Sequence, residues 1–168
     1  EPWRRAVPAI GTLSAVQGID VAPETAGIIE KLGFESGEDV EAGRLLVELD
    51  DGTEQASLKS AQAQLRNSQV NLTRQRELLD RGNTSRSNFD TAVAARDSDA
   101  AELERIQALI AEKSILAPFS GKLGIRQVDI GQYVSAGTVL VSLQQLDPIY
   151  VDFPVPEQQL DQVAVGDD

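Results

Sequence analysis

The sequence lacks the residues on which much enzyme and metal chemistry depends. Its 168 residues include no cysteine and no histidine. This excludes disulfides, thiol nucleophiles, zinc-finger spacings and a histidine general base. Methionine is also absent, so we expect the chain to be a processed or excised piece. No other catalytic set emerges from the pattern, and we therefore expect no catalytic residue, no cofactor and no metal ligand.

Positive charge and aromatic side chains are scarce. Lys+Arg number 15 against 27 Asp+Glu, a net charge of −12. Such a surface repels phosphate backbones, so we expect no nucleic-acid partner. Aromatic residues make up 4% of the chain, which favours a slender shape over a thick aromatic core. No apolar run reaches the roughly 18 residues of a membrane span, so we expect any anchor to lie outside this chain.

The sequence does contain an internal repeat in two copies. Residues 21–50 return as residues 116–143, with most matching glycine and aliphatic positions at an offset of 94. The last run of the first copy alternates, which predicts that Leu45, Val47 and Leu49 face inward. Because neither half can bury its apolar face alone, we predict that the two halves stack about a pseudo-twofold axis as one small barrel or sandwich.

The segment between the copies, residues 51–114, has the pattern of helices. It contains no proline, and its leucines recur every seven residues at positions 58, 65, 72 and 79. We predict a first helix over about residues 53–79, with Asp51 and Glu54 spaced as a capping box and Gly82 as a left-handed C-cap.

A second helix is predicted from Ser85 or Ser87 to about residue 113, with Arg96 and Asp99 interrupting its apolar stripe. The two helices have nearly equal length, and only about five residues separate them. We therefore predict an antiparallel coiled coil roughly 40 Å long.

The flanks of the repeat read as strands. Residues 149–155 alternate in hydrophobicity, a short helix is predicted over residues 156–163, and residues 3–14 are also strand-like. The flanks leave the repeat from pseudo-equivalent ends. We predict that they pair as part of an incomplete third domain.

Together these features resemble a known family. The AGII and SGKL turns with their G-x-x-V-x-x-G followers, the intervening hairpin and the strand PIYVDFPVPEQQL are similar to those of the periplasmic adaptor (membrane fusion) proteins of tripartite RND efflux pumps. Arg74, Leu78 and Ser85 fall at the R-x3-L-x6-S spacing with which this family docks its outer-membrane channel. The resemblance covers essentially the whole chain.

The resemblance implies an α+β fold: a lipoyl-like (biotinyl/lipoyl) β-sandwich split by an antiparallel α-helical coiled-coil hairpin, plus strands of an incomplete β-barrel domain. The implied division is residues 1–17 for the first barrel or membrane-proximal strands and residues 18–50 with 115–146 for the lipoyl-like domain. The hairpin takes residues 51–114, and the barrel begins again at residues 147–168.

The resemblance also implies partners and a location. The subunit would link an inner-membrane RND transporter to a TolC-type outer-membrane channel and would form a homo-oligomeric ring, commonly a hexamer. It would lie in the periplasm, held to the inner membrane by an N-terminal lipid or helix that this chain does not contain. Its function would be mechanical coupling for the export of drugs or other small molecules, not catalysis.

From the residues alone, the hairpin tip has two interpretations. Its arginines, Leu78 and Ser85 can be a solvated helix end, a seam residue and an N-cap, or they can be docking contacts. Because Leu79 already continues the seam, Leu78 is expected to lie off it and to be free for a partner.

Three other functions share this plan. A lipoyl or biotinyl carrier would need a lysine where this chain has Asp50 and Asp51, and the next lysine is Lys59. A type I secretion (ABC-linked) adaptor typically has a longer hairpin. A metal-carrying adaptor would usually use the methionine or histidine ligands that are absent here.

Overall fold

The computed structural model describes residues 10–154. In this part the chain forms eight strands and two helices in the predicted order. They are β1 (Thr12–Val21), β2 (Gly27–Leu32), β3 (Asp39–Val40), β4 (Leu45–Leu49), α1 (Gly52–Asp80), α2 (Arg86–Glu112), β5 (Ser114–Leu116), β6 (Gly121–Leu123), β7 (Tyr133–Val134) and β8 (Val141–Asp152).

The strands form two four-stranded sheets that the internal repeat relates to each other. One sheet has the order β1-β8-β6-β3 and the other β5-β4-β2-β7. At the offset of 94, β2 corresponds to β6, β3 to β7 and β4 to the start of β8, so the repeat maps one sheet onto the other. The two halves are interlocked, since β3 pairs with β6 and β7 pairs with β2. The predicted pseudo-twofold sandwich is confirmed.

Equivalent hydrogen bonds join the halves. The N–H of Ile29 donates to the carbonyl of Gln132, and the N–H of its counterpart Leu123 donates to the carbonyl of Glu38, both at 2.9 Å. Each bond runs from one half to the other. Unfolding of either half therefore breaks hydrogen bonds on which the other half also depends.

Glycine permits the tight turns that bring the halves together. Gly43 and its counterpart Gly137 have φ of +82° and +80°, a region that strains any residue with a Cβ. The N–H of Gly43 donates to the carbonyl of Ala117, and that of Gly137 donates to the carbonyl of Pro23. These turns thus also tie each half to the other.

The core lies between the sheets and consists mainly of repeat-related pairs. The paired residues are 4% exposed or less: Ile29 and Leu123, Val40 and Val134, Leu46 and Leu140, Val47 and Val141, Leu49 and Leu143. One inward prediction is wrong, because Leu45 is 38% exposed and Leu46 is fully buried. The pairing of β4 with β5 shifts register between Leu45 and Val47, and such a bulge breaks the strict alternation of a strand.

The two helices pack side by side in opposite directions. Five residues connect them at one end, and at the other Lys113 lies 3.6 Å from Glu54 of α1. The seven-residue stripe of α1 forms the contact: Ala61 and Ser68 are buried, and the leucines of the stripe are half-buried. As predicted, Arg96 interrupts the apolar stripe of α2, and its Nε is buried without a hydrogen-bond partner among the described residues.

The capping-box prediction is wrong. Asp51 is the N-cap residue of α1, but its side chain makes no capping hydrogen bond. Its carboxylate instead accepts from the Gln55 amide at 2.8 Å, while Glu54 accepts from the Thr53 hydroxyl. The helix bounds themselves differ from the prediction by one residue at each end.

The flanking strands pair as predicted over the described residues. Thr12 lies opposite Asp152, and Ser14 opposite Tyr150, in the antiparallel pair of β1 and β8. The expected boundaries at 17/18 and 146/147 fall inside these continuous strands. That the flanks begin a third domain stays a prediction, and the predicted structure of residues 3–9 and 155–163 lies outside the described part of the chain.

Neither helix in residues 10–154 combines the length and apolar character that a membrane span requires.

From the repeat-related core we predict the same effect for two equivalent substitutions. Leu46→Ala and Leu140→Ala should each lower the free energy of unfolding by about 2–5 kcal/mol, because both leave a cavity in the same core. Chemical denaturation measures the loss. Leu45→Ala is the neighbouring control, with a loss of about 1 kcal/mol or less because its side chain is partly in solvent. The interlocked core would be contradicted if only one of the two buried leucines mattered.

Candidate functional site at the tip of the helical pair

The candidate site is the tip, defined as residues 74–86, where α1 ends and α2 begins. Gly82 has φ of +71°, its N–H donates to the carbonyl of Leu79 at 2.9 Å, and the N–H of Asn83 donates to the carbonyl of Leu78 at 2.8 Å. These two bonds are the Schellman arrangement. The predicted left-handed C-cap at Gly82 is therefore confirmed.

Ser85 starts the returning helix. Its hydroxyl oxygen accepts from the N–H of Asn88 at 3.1 Å, and it is the N-cap residue of α2. Of the two predicted start positions, the structure thus selects Ser85 over Ser87. The Ser85 hydroxyl proton remains available to donate outward, since the bond to Asn88 uses only a lone pair.

A short chain of polar side chains holds the connection in place. The hydroxyl of Thr84 donates to the side-chain oxygen of Gln75 at 3.0 Å, and the amide of Asn88 donates to the Thr84 hydroxyl at 3.2 Å. The five-residue segment between the helices is therefore hydrogen-bonded to a side chain of α1 and to a side chain of α2. The sequence did not predict these bonds, although Gln75 falls at the same seven-residue spacing as Ala61 and Ser68.

The three predicted docking residues lie together at the tip but differ in exposure. Arg74 and Ser85 are exposed, and Leu78 is half-buried. Arg74 precedes Leu78 by one turn, so both can share one face of α1. Leu78 is less free than expected, since it is half-buried like Leu79. No large apolar side chain of the tip is fully exposed, so the tip presents mainly polar and charged groups.

Positive charge is concentrated at the tip. It holds four arginines against two carboxylates. Arg86 pairs with Asp90 at 3.2 Å and lies over the ring of Phe89 at 5.5 Å from its centroid. Within the described residues, Arg74, Arg76 and Arg81 have no carboxylate within ion-pairing distance. Their guanidinium groups can therefore meet an acidic partner without first breaking an ion pair.

The carboxylates of Asp50 and Asp51, at the base of the helices, form hydrogen bonds with residues close to them in sequence. The Asp50 carboxylate accepts from the N–H of Gly52 at 3.0 Å, and that of Asp51 accepts from Gln55. No group of three or more potential metal ligands comes together in residues 10–154. Lys59 lies within α1 and is exposed, away from the strand-to-helix junction where a carrier lysine would stand.

Comparison with known proteins gives this fold a class. A family profile described as "RND MFP, barrel-sandwich hybrid domain" matches residues 17–148, which span the sandwich and both helices. The fold is thus a barrel-sandwich hybrid carrying a helical insertion. The chain belongs to the RND membrane fusion protein (MFP) family.

Two curated relatives and one solved structure illustrate the similarity. Multidrug resistance protein MdtA of Proteus mirabilis is 34% identical over 94% of this chain and 42% of its own length. Antibiotic efflux pump periplasmic linker protein ArpA of Pseudomonas putida is 35% identical over 84% of this chain and 39% of its own length. The chain therefore spans about two fifths of these relatives.

The solved structure is a MacA–MexA chimeric protein containing the Pseudomonas aeruginosa MexA α-hairpin domain. It aligns with a TM-score of 0.81 and 25% identity, over 90% of this chain and 56% of that one. The alignment extends the similarity to the arrangement of sandwich and helices.

The N-cap at Ser85 yields a stability prediction. Ser85→Ala should lower the free energy of unfolding by about 1 kcal/mol, because the N–H of Asn88 loses its acceptor. It should also speed hydrogen exchange in the first turn of α2. Ser87→Ala is the matched control, since its hydroxyl makes no hydrogen bond within the described residues. Equal losses from both substitutions would contradict the assignment of the cap.

Proposed function

We propose that this chain is part of a periplasmic adaptor subunit that links an inner-membrane RND transporter to a TolC-type outer-membrane channel, for the export of drugs or other small molecules. The observation that supports it best is an MFP barrel-sandwich hybrid carrying two long helices that end in an arginine-rich tip. The names of MdtA and ArpA, a multidrug resistance protein and a periplasmic linker of an antibiotic efflux pump, point the same way.

In this proposal the subunit is not an enzyme, and its work is alignment. The helices of 29 and 27 residues hold the tip about 40 Å from the sandwich, at about 1.5 Å per residue. The seven-residue stripe supports a coiled-coil hairpin, which resists bending better than a single helix.

Arg74, Leu78 and Ser85 are the proposed channel-docking residues. Arg74 offers a forked donor that forms no ion pair within the described part of the chain. Ser85 offers its hydroxyl proton, and the exposed part of Leu78 adds a small apolar contact. Because most of this surface is polar, each contact is expected to contribute only about 1–3 kcal/mol. Repetition around a ring, which we propose to be a hexamer, would make the total binding strong while each contact stays reversible.

The proposed location is the periplasm, where the helices can reach toward the outer membrane. An N-terminal lipid or helix would hold the subunit to the inner membrane, as the family resemblance implies.

The alternatives receive less support. A type I secretion adaptor typically has a longer hairpin than helices of 29 and 27 residues. A carrier domain would need a lysine at the junction that Asp50 and Asp51 occupy.

Cross-linking from the tip tests the function and the docking residues together. Because these 168 residues contain no cysteine, Asn83→Cys provides one defined attachment point within them. We place this substitution in the full-length protein, in cells that carry the complete pump. We expect the captured protein, identified by mass spectrometry, to be the outer-membrane channel. Arg74→Asp should abolish this capture and pump-dependent drug resistance at normal protein level, because it places a carboxylate where the contact needs a cation.

Lys59→Asp is the matched control. It makes the same charge change on an exposed residue of α1, about 20 Å from Arg74 along the helix, and should leave capture and resistance unchanged. Failure to capture an outer-membrane channel would contradict the adaptor function. Capture and resistance that survive Arg74→Asp would contradict the docking assignment alone.

A further inference from the structure

The main chain crosses between sandwich and helices at two points, from β4 into α1 and from α2 into β5. The last main-chain hydrogen bonds at these crossings are from Leu49 N–H to the carbonyl of Lys113 at 2.9 Å and from Asp50 N–H to the carbonyl of Ile28 at 2.8 Å. Beyond this point each helix forms its main-chain bonds internally. The hydrogen bonds between the strands therefore fix where the helices start, but they do not fix the angle between the helices and the sandwich.

The side chain of Lys113 bridges the elements at this junction. Lys113 is the C-cap residue of α2, and its side chain is only 13% exposed. Its ammonium donates to the carbonyl of Ala26, just before β2, at 3.2 Å and lies 3.6 Å from Glu54 in the first turn of α1. One group therefore touches both helices and the sandwich.

In residues 10–154, no other side chain hydrogen-bonds or ion-pairs with both the sandwich and the opposite helix. The carboxylates of Asp50 and Asp51 accept only from Gly52 and Gln55 beside them. The remaining hydrogen bonds and ion pairs of the helices stay within the helical pair or the tip. Among the described residues of the helices and their caps, Lys113 is thus the one whose side-chain hydrogen bond reaches a sandwich residue distant in sequence.

The carboxylate of Glu54 is well suited to hold the ammonium of Lys113. A hydrogen bond from the Thr53 hydroxyl, at 2.8 Å, is the main reason that the pKa of Glu54 lies below its ordinary value, and Lys113 lowers it further. Glu54 is half-buried, with 23% of its side chain exposed. An ion pair in such a place is screened less by salt than an exposed one.

The junction is open beside the end of α2. A groove of about 420 Å³ lies there, lined in part by Glu112 and Ser114, the neighbours of Lys113, and by Ala22, Glu24 and Pro118. Lys113 does not line it. The end of α2 therefore has unfilled space beside it that the side chain of Lys113 does not occupy.

The repeat provides an internal comparison. The counterpart of Lys113 at the offset of 94 is Ile19 in β1. There the strand ladder continues outward, from Ile19 opposite Leu143 to Ser14 opposite Tyr150, so the extension is held by main-chain bonds. In the other half the strand pairing stops at this point, and the equivalent residue is Lys113.

We propose that Lys113 is a brace that sets the angle between the helical pair and the sandwich, and that its release lets the helices rock toward the open groove. Rocking about two strand-to-helix junctions is a hinge motion, in which a few residues absorb the change. The residue is thus a positioning residue for the tip, whose last residue, Arg86, precedes it by 27 residues along α2.

Electron spin distance measurements test the brace. One pair of labels reports the angle, from Asn83→Cys at the tip to Ala136→Cys in the sandwich. A second pair reports the helical pair alone, from Ala63→Cys to Ala101→Cys. All four positions are exposed, and the chain has no other cysteine. Lys113→Met removes the ammonium and keeps the aliphatic length.

We expect Lys113→Met to broaden the tip-to-sandwich distance distribution and shift its mean, with the distances between the helices unchanged. Lys59→Met, the same substitution at an exposed lysine, should change neither. An unchanged tip-to-sandwich distribution would overturn the proposal, and so would broadening of both pairs, which would mean that the helices themselves had come apart. Should the methionine variant fail to fold, Lys113→Gln, which is shorter and uncharged, provides the same reading.

Discussion

The interlocking of two half-motifs around one apolar core is the constraint on which the rest of this structure depends. Neither half has a complete sheet of its own, because β3 of the first half pairs with β6 of the second and β7 pairs with β2. Leu46 and Leu140, one from each half, are both fully buried in the shared core. The strands that lead into and out of the helices belong to this core, so the base of the helical pair is held wherever the core is folded. A long insertion costs such a domain little, since its two ends already lie side by side.

Away from that base, the molecule becomes progressively less apolar. The contact between the helices is narrow and is interrupted by Arg96, whose Nε is buried without a partner among the described residues. At the tip the exposed groups are polar, and three arginines have no carboxylate within ion-pairing distance among residues 10–154. This gradient suits the proposed function, in which a part keeps its shape but binds reversibly. In that proposal the sandwich provides stability, Lys113 sets the direction of the helices, and the tip binds the channel.

The sequence predicted the architecture because the features that define it are local and repeated. Glycines at turn spacing and leucines at seven-residue spacing placed the sheets and helices, and Gly82 marked the end of α1 to within a residue. The errors arose where the outcome depends on contacts that sequence spacing does not contain. The bulge beside Leu45 depends on how β4 pairs with β5, and the bonds of Thr84 depend on how the two helices meet. Lys113 stands out only once Ala26, far away in sequence, is placed beside its ammonium.

Native-state hydrogen exchange tests the central claim most directly. Ile29 and Leu123 occupy equivalent positions, and each donates its N–H to a carbonyl of the other half. If the halves form one interlocked core, both amides should exchange only through global unfolding, with the same opening free energy and the same denaturant dependence. Exchange of one of these amides through a smaller, separate opening, while the other stays protected, would contradict the account.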